Sequence, residues 1–157
     1  MVMQLEGRVG DRDVWGSERC SATQAMQLLG SPTALLFVRE AFYGTTKFSD
    51  FVQRVGVTDT AASNRLKKLV EAGVFQKRSY RVPGARTRDE YLLTPMGEAL
   101  LPVLLAVMSW GDEHLQSDGG PVRIVSTETG RTVRAVIRDE DDRAVDTDKL
   151  KVVAASG

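Results

Sequence analysis

The chain has 157 residues, of which 42% are hydrophobic, with one cysteine, one histidine and a formal net charge of zero. That length fits one domain with an appendage, and the apolar content can build a core with neither disulfides nor a structural metal. A lone cysteine excludes a disulfide framework and points to a reducing, cytoplasmic setting, while no apolar run approaches the ~20 residues that span a bilayer. Acidic residues and the lack of an apolar stretch near the start argue against a secretory signal.

Zero net charge argues against a nucleic-acid partner until the distribution is examined. Residues 47–91 carry ten Lys/Arg against five Asp/Glu, and residues 112–157 carry seven against ten. A phosphate backbone responds to local field, so the basic middle is what counts.

Residues 1–19 are polar and aperiodic and read as an irregular arm. Ser21-Ala-Thr-Gln24 matches a capping box and opens a helix carrying Ala25, Met26, Leu28 and Leu29, closed by Gly30. Ser31-Pro32 then supplies a cap with proline at the first helical position. The helix to about Tyr43 is expected to bury Leu35, Leu36, Val38 and Phe42. Phe48 to Val55 forms the next helix, with Phe48, Phe51, Val52 and Val55 spaced along one face. Gly56 ends it with a left-handed turn residue, Thr58 caps the following helix, and Asp59 to Ala72 runs to the stop at Gly73. A link of Gly56, Val57 and Thr58 between two helices is helix-turn-helix spacing, in which the second helix enters the major groove.

Val74 to Arg81 and Asp89 to Leu93 read as a hairpin with a turn at Pro83-Gly84. A hairpin placed directly after a recognition helix is a wing. Its cations Arg78, Arg81, Arg86 and Arg88 are suited to phosphates or the neighbouring minor groove. Thr94-Pro95 opens a long helix to about Gln116, apolar on more than one face from Leu100 to Trp110, which calls for a second packing partner, most simply another copy of the chain. Pro102 cannot donate to the carbonyl of Glu98, so a kink is expected there. After the linker Asp118-Gly-Gly-Pro121, residues 122–125, 132–137 and 150–153 read as short strands around Thr129-Gly130 and the charged turn Asp139–Asp142. The expected organisation is an arm (1–19), a winged helix-turn-helix DNA-binding and dimerisation domain (20–117) and a β-hairpin-like extension (118–157). The fold class is mainly α with a small β content.

On the second helix of the pair, Ala62, Leu66, Leu69 and Val70 face the core. Thr58 stands at its start, and Thr60, Ala61, Ser63, Asn64, Lys67 and Lys68 occupy the opposite face. Thr60, Ser63 and Asn64 have the donors and acceptors to bond base edges, and the methyls of Thr60 and Ala61 suit thymine. Arg65, Lys67 and Lys68 suit phosphates, or guanine on the groove floor.

These residues resemble the HxlR-type winged helix-turn-helix transcriptional regulators of bacteria, from Cys20 to about His114. The resemblance is carried by the Cys20 to Gly30 helix, Leu35-Leu36-Phe37-Val38-Arg39-Glu40 and Lys47-Phe48-Ser49-Asp50-Phe51. It continues through Arg65-Leu66-Lys67-Lys68-Leu69-Val70-Glu71-Ala72-Gly73-Val74, Glu90-Tyr91-Leu92-Leu93-Thr94 and Leu101-Pro102-Val103-Leu104. It implies a homodimer joined through the first and the long C-terminal helices, bound to a pseudo-palindromic double-stranded operator, usually as a repressor. Two departures stand out. Pro32 and Thr33 replace the Lys/Arg-Trp pair usual after the position of Gly30. The segment after Gly120 lies outside the common domain, and if it descends from the cysteine-bearing ribbon of some relatives it has lost every ligand.

The resemblance also aligns Cys20 with a cysteine that some members use to sense oxidants or electrophiles, which makes it a candidate redox sensor beside its alternative as a small packed residue. Trp15, Met26, Met108 and Trp110 read as core or interface, or as the lining of a small-molecule effector pocket at a dimer interface. His114, at a helix end, suits the carbonyl terminus, and Asp139–Asp142 lacks calcium-loop spacing. No cofactor, metal centre or catalytic set is expected: one histidine, one cysteine and no phosphate-binding glycine loop leave nothing for an enzyme. The expected function is a homodimeric, sequence-specific DNA-binding repressor released by a small-molecule or redox signal. The alternative is a winged-helix protein-interaction module that does not read DNA sequence.

Overall fold

The computed structural model of the chain describes residues 3–12, 20–81, 84 and 87–155. In chain order it holds strand β1 (Gln4–Leu5), a 3-10 turn (Gly7–Gly10), and helices α1 (Ser21–Leu29), α2 (Ala34–Phe42), α3 (Phe48–Val55) and α4 (Asp59–Glu71). Strands β2 (Phe75–Tyr80) and β3 (Arg88–Leu93) follow, then helices α5 (Pro95–Glu98) and α6 (Leu101–His114), a 3-10 turn (Thr147–Lys149) and strand β4 (Lys151–Val152). The fold is therefore mainly helical with small sheets, a winged helix-turn-helix.

The core lies where α2, α3 and α4 meet the root of the hairpin. Phe37, Val38, Phe51, Ala62, Leu66, Leu69, Val74, Phe75 and Tyr91 are all buried there. Phe51 is the hub: its ring stacks on Phe37 at 5.5 Å and meets Phe75 and Tyr91 edge-on at 6.0 and 6.4 Å. Such offset and edge-on pairs follow from the ring quadrupole. On α2 the deepest residues are Ala34, Phe37 and Val38, while Leu35, Leu36 and Phe42 are half-buried. The difference from expectation arises because the helix begins at Ala34, so the repeat of three and four residues runs through Phe37. Pro32 and Thr33 belong to the preceding turn, whose Ser31 Oγ accepts from Ala34 N at 3.2 Å.

Strands β2 and β3 pair antiparallel from Phe75 opposite Leu93 to Tyr80 opposite Arg88. Residues 46 and 47 add an edge to this sheet: Tyr91 N donates to Thr46 O at 2.8 Å and Lys47 bridges Glu90. Gly97 in α5 is buried against the start of β2, where an added Cβ would come within 2.3 Å of Val74 O. The helix expected to be kinked at Pro102 is broken outright, α5 ending at Glu98 and α6 starting at Leu101. The missing N–H of Pro102 accounts for a break at that place.

The extension forms less sheet than expected. Residues 122–137 contribute only the bridge Val125–Thr132 around Gly130, and a second bridge joins Arg138 to Ala144. The last strand does form, and its partner is the arm. Gln4 and Leu5 lie parallel to Lys151 and Val152, Glu6 N donates to Val152 O at 3.0 Å, and Lys151 Nζ reaches Glu6 Oε2 at 2.9 Å. The two ends of the chain are thus clipped together. No helix among the described residues is long and apolar enough to cross a membrane.

Candidate nucleic-acid interface

Helix α4 is aimed by its turn. Gly56 sits at φ +73° and closes α3 with N–H donation to Val52 O, and Thr58 Oγ1 accepts from Ala61 N at 3.2 Å at the start of α4. The left-handed residue and the cap together fix how α4 leaves α3. Ala62, Leu66 and Leu69 are fully buried beneath it, and Thr58, Thr60, Ala61, Ser63, Asn64, Lys67 and Lys68 are exposed above. Lys67 leans on Glu71 at 3.8 Å. Arg65 differs from its neighbours: it is half-buried, and its Nε is shielded from solvent with no hydrogen-bond partner. It stands at the margin of the polar face.

The wing sorts its cations into two kinds. Arg78 Nε binds Glu90 Oε1 at 2.7 Å across the ladder, and Lys77 Nζ binds Asp89 Oδ2 at 3.3 Å. Ser79 Oγ donates to the same Asp89 at 2.8 Å. The Ser79 and Lys77 hydrogen bonds hold the Asp89 carboxyl below its ordinary value, and Asp89, followed by the charge of Tyr91, holds Lys77 above its own. Lys77 and Arg78 are therefore each paired with an acid across the ladder, while their side chains stay exposed. Arg81 and Arg88 are exposed and enter no ion pair among the described residues; Arg86 lies outside the described residues. Sequence reasoning could not separate these cases, because the partner acids are set by register.

Lys47, passed over as a site residue, proves to be well placed. It is the exposed N-cap residue of α3, and with Phe48, Ser49, Tyr80, Arg88, Asp89 and Tyr91 it lines a cleft of about 360 Å³. The cleft joins the start of α3 to the wing and holds two cations, Lys47 and Arg88, that enter no ion pair among the described residues. Its position just before the apolar face of α3 was the available signal.

Away from this surface, Cys20 is the N-cap of α1 and half-buried; the capping box predicted from Ser21 is not made, since Ser21 is already helical. The Thr23 backbone N–H, then its hydroxyl and the Ala22 N–H, hold the Cys20 thiol below its ordinary value. Met26 and Trp110 are each 56% exposed, on α1 and α6, Met108 on α6 is half-buried, and Trp15 lies outside the described residues. His114 ends α6 with its ring 5.4 Å from Trp110. No group of three or more metal-ligating side chains occurs among the described residues.

The family model described as HxlR-like helix-turn-helix matches residues 28–119. An uncharacterized HTH-type transcriptional regulator of Mycobacterium bovis is 37% identical over 101 residues, which make up 64% of this chain and 63% of that protein. The chain thus spans less than two thirds of the length of that relative. YvaP of Bacillus subtilis, also named as an HTH-type transcriptional regulator, is 30% identical over 63% of this chain and 92% of its own. Among solved structures, PA1607, described as a candidate transcription factor, superposes with a TM-score of 0.76 at 29% identity, over 86% of this chain and 94% of its own. PA1374 of Pseudomonas aeruginosa gives 0.61 at 28% identity, over 87% and 92%. Both similarities reach into the segment after Gly120, since 86% of the chain exceeds everything before it. The proteins named here are transcription regulators or candidate transcription factors, not enzymes. By the extent of the family match, this chain belongs to the HxlR-like helix-turn-helix family.

Proposed function

We propose that the chain is a homodimeric, sequence-specific DNA-binding regulator that acts in the cytoplasm as a repressor and is released by a small-molecule or redox signal. The observation that carries the reading is the exposed polar face of α4 together with exposed cations on α4, at the start of α3 and on the wing. Lys68 on α4, Lys47 before α3, and Arg81 and Arg88 on the wing are exposed and enter no ion pair among the described residues. In this reading α4 lies in the major groove, Thr60, Ser63 and Asn64 meet base edges, and Ala61 meets a thymine methyl. Lys47 and Arg88 grip a phosphate on either side of their cleft, and Arg81 and Lys68 hold the flanking backbone.

Dimerisation is supported by an apolar strip that stays exposed. Val103, Val107 and Trp110 are exposed along α6, and Met26 on α1 is exposed too. Pairing through these helices would set two copies of α4 roughly 34–36 Å apart, one turn of duplex. For release, Cys20 supplies a thiol with a lowered pKa at the start of α1, one of the two helices assigned to pairing.

Footprinting on the DNA upstream of its own gene tests the reading. Two protected half-sites one helical turn apart are expected, and Asn64→Ala should change which bases are preferred. A duplex left unprotected at protein concentrations that saturate non-specific DNA would refute it.

A further inference from the structure

Where α6 runs past the end of α2, the first residues of the extension close off a cleft of about 380 Å³. Arg39 and Tyr43 come from α2 and its end, Met108 and Asp112 from α6, and Pro121 and Val122 from the extension. The size is at the lower end of small-molecule sites. Met26 and Trp110 do not border it.

The charges in this cleft are not equivalent. Arg39 is committed to Glu40, with Nη2 at 2.8 Å and Nε at 3.2 Å from Oε1. Glu40 is only 6% exposed and accepts from Thr45 Oγ1 at 3.4 Å, and Thr45 in turn accepts from Arg54 Nη1 at 2.6 Å. This chain of bonds fixes Arg39 and leaves the pair neutral as a unit. Asp112 enters none of the ion pairs or side-chain hydrogen bonds among the described residues. It also borders a second hollow of about 510 Å³ lined by Asp118 and Arg123, so two carboxylates there meet one guanidinium, and its own carboxylate lies against Gly120.

The cleft is therefore lined by one carboxylate that enters no ion pair among the described residues, together with an aromatic ring, a thioether and two aliphatic surfaces. An anion would meet Asp112, while the nearby Arg39 guanidinium already gives its Nε and Nη2 to Glu40. A cation with an apolar body would keep its charge near Asp112 and the Tyr43 ring while burying its body against Met108, Pro121 and Val122. We infer that this cleft binds a small lipophilic cation, an organic ammonium bearing one aromatic ring, through Asp112 and Tyr43. The extension then has a definite part, since it supplies one wall of the site.

The test uses the full chain carrying methyl-labelled methionine, without DNA, so its outcome is independent of the DNA-binding reading. Phenyltrimethylammonium is titrated against the Met108 methyl signal, assigned by Met108→Leu, with benzenesulfonate as an anion of similar size. A saturable Met108 shift is expected with the cation, and binding at least about tenfold weaker with the anion. Asp112→Asn should remove that preference, and Tyr43→Leu should weaken the cation alone, with both variants keeping the wild-type methionine spectrum as a check on folding. Equal shifts with both ions, no Met108 shift with the cation, or an Asp112→Asn variant that folds and still selects the cation would each overturn the assignment.

Discussion

Thr58 and Cys20 each stand at the start of a helix, and the same backbone feature serves different ends at the two sites. Unpaired N–H groups at a helix start bond a side-chain oxygen readily. At Thr58 that bond, 3.2 Å to Ala61 N, helps fix the direction of α4. Thr58→Ala should cost about 1 kcal/mol in denaturant unfolding, and no loss would show that the cap is idle. At Cys20 the same kind of group lowers a thiol pKa, with the Thr23 N–H foremost. A depressed pKa means thiolate persists to lower pH than in a free thiol. Iodoacetamide alkylation should accordingly reach half its maximal rate below the ordinary thiol value of about 8.5. Thr23→Ala, which removes the hydroxyl and keeps the N–H, should move that midpoint part of the way up. A midpoint at or above the ordinary value would remove the physical basis for Cys20 as a sensor.

Among the elements, α3 and α4 were fully legible in the sequence, because their signals are local. Apolar spacing from Phe48, a glycine at positive φ and a threonine cap act within a few residues of one another. The wing was legible as a hairpin but not as a charge pattern. Arg78 and Arg88 have equal claims in the sequence, and only the register that sets Arg78 opposite Glu90 and Tyr80 opposite Arg88 tells them apart. Lys47 escaped notice for a similar reason, since its cleft exists only when the start of α3 is brought against β2 and β3. The break between α5 and α6 was half-legible: Pro102 marked the place, but a kink was expected where the helix stops at Glu98 and restarts at Leu101. The extension was least legible, because alternating valines suggest strands, yet only isolated bridges form between residues 122 and 144. Many of those valines remain exposed, so little apolar burial holds extended segments together.

For the whole molecule, the exposed strip along α6 is the feature that a monomer leaves unexplained. Val107 lies in the middle of that strip and is half-exposed, so a charge placed there is tolerated in a monomer and opposed in a helix-paired dimer. Val107→Asp should sediment as a monomer and keep its helical content; a variant that stays dimeric would move the interface elsewhere. Dimerisation would also bring two wings to one duplex and double the number of phosphate contacts. The affinity of the full chain for duplex DNA, measured across salt concentrations for the wild type, Arg88→Ala and Arg78→Ala, tests the central claim most directly. A steep linear fall of log affinity with log salt is predicted for the wild type, shallower by about one per subunit in Arg88→Ala and unchanged in Arg78→Ala, whose guanidinium is already held by Glu90. An affinity that ignores salt, or equal effects of the two arginines, would contradict it.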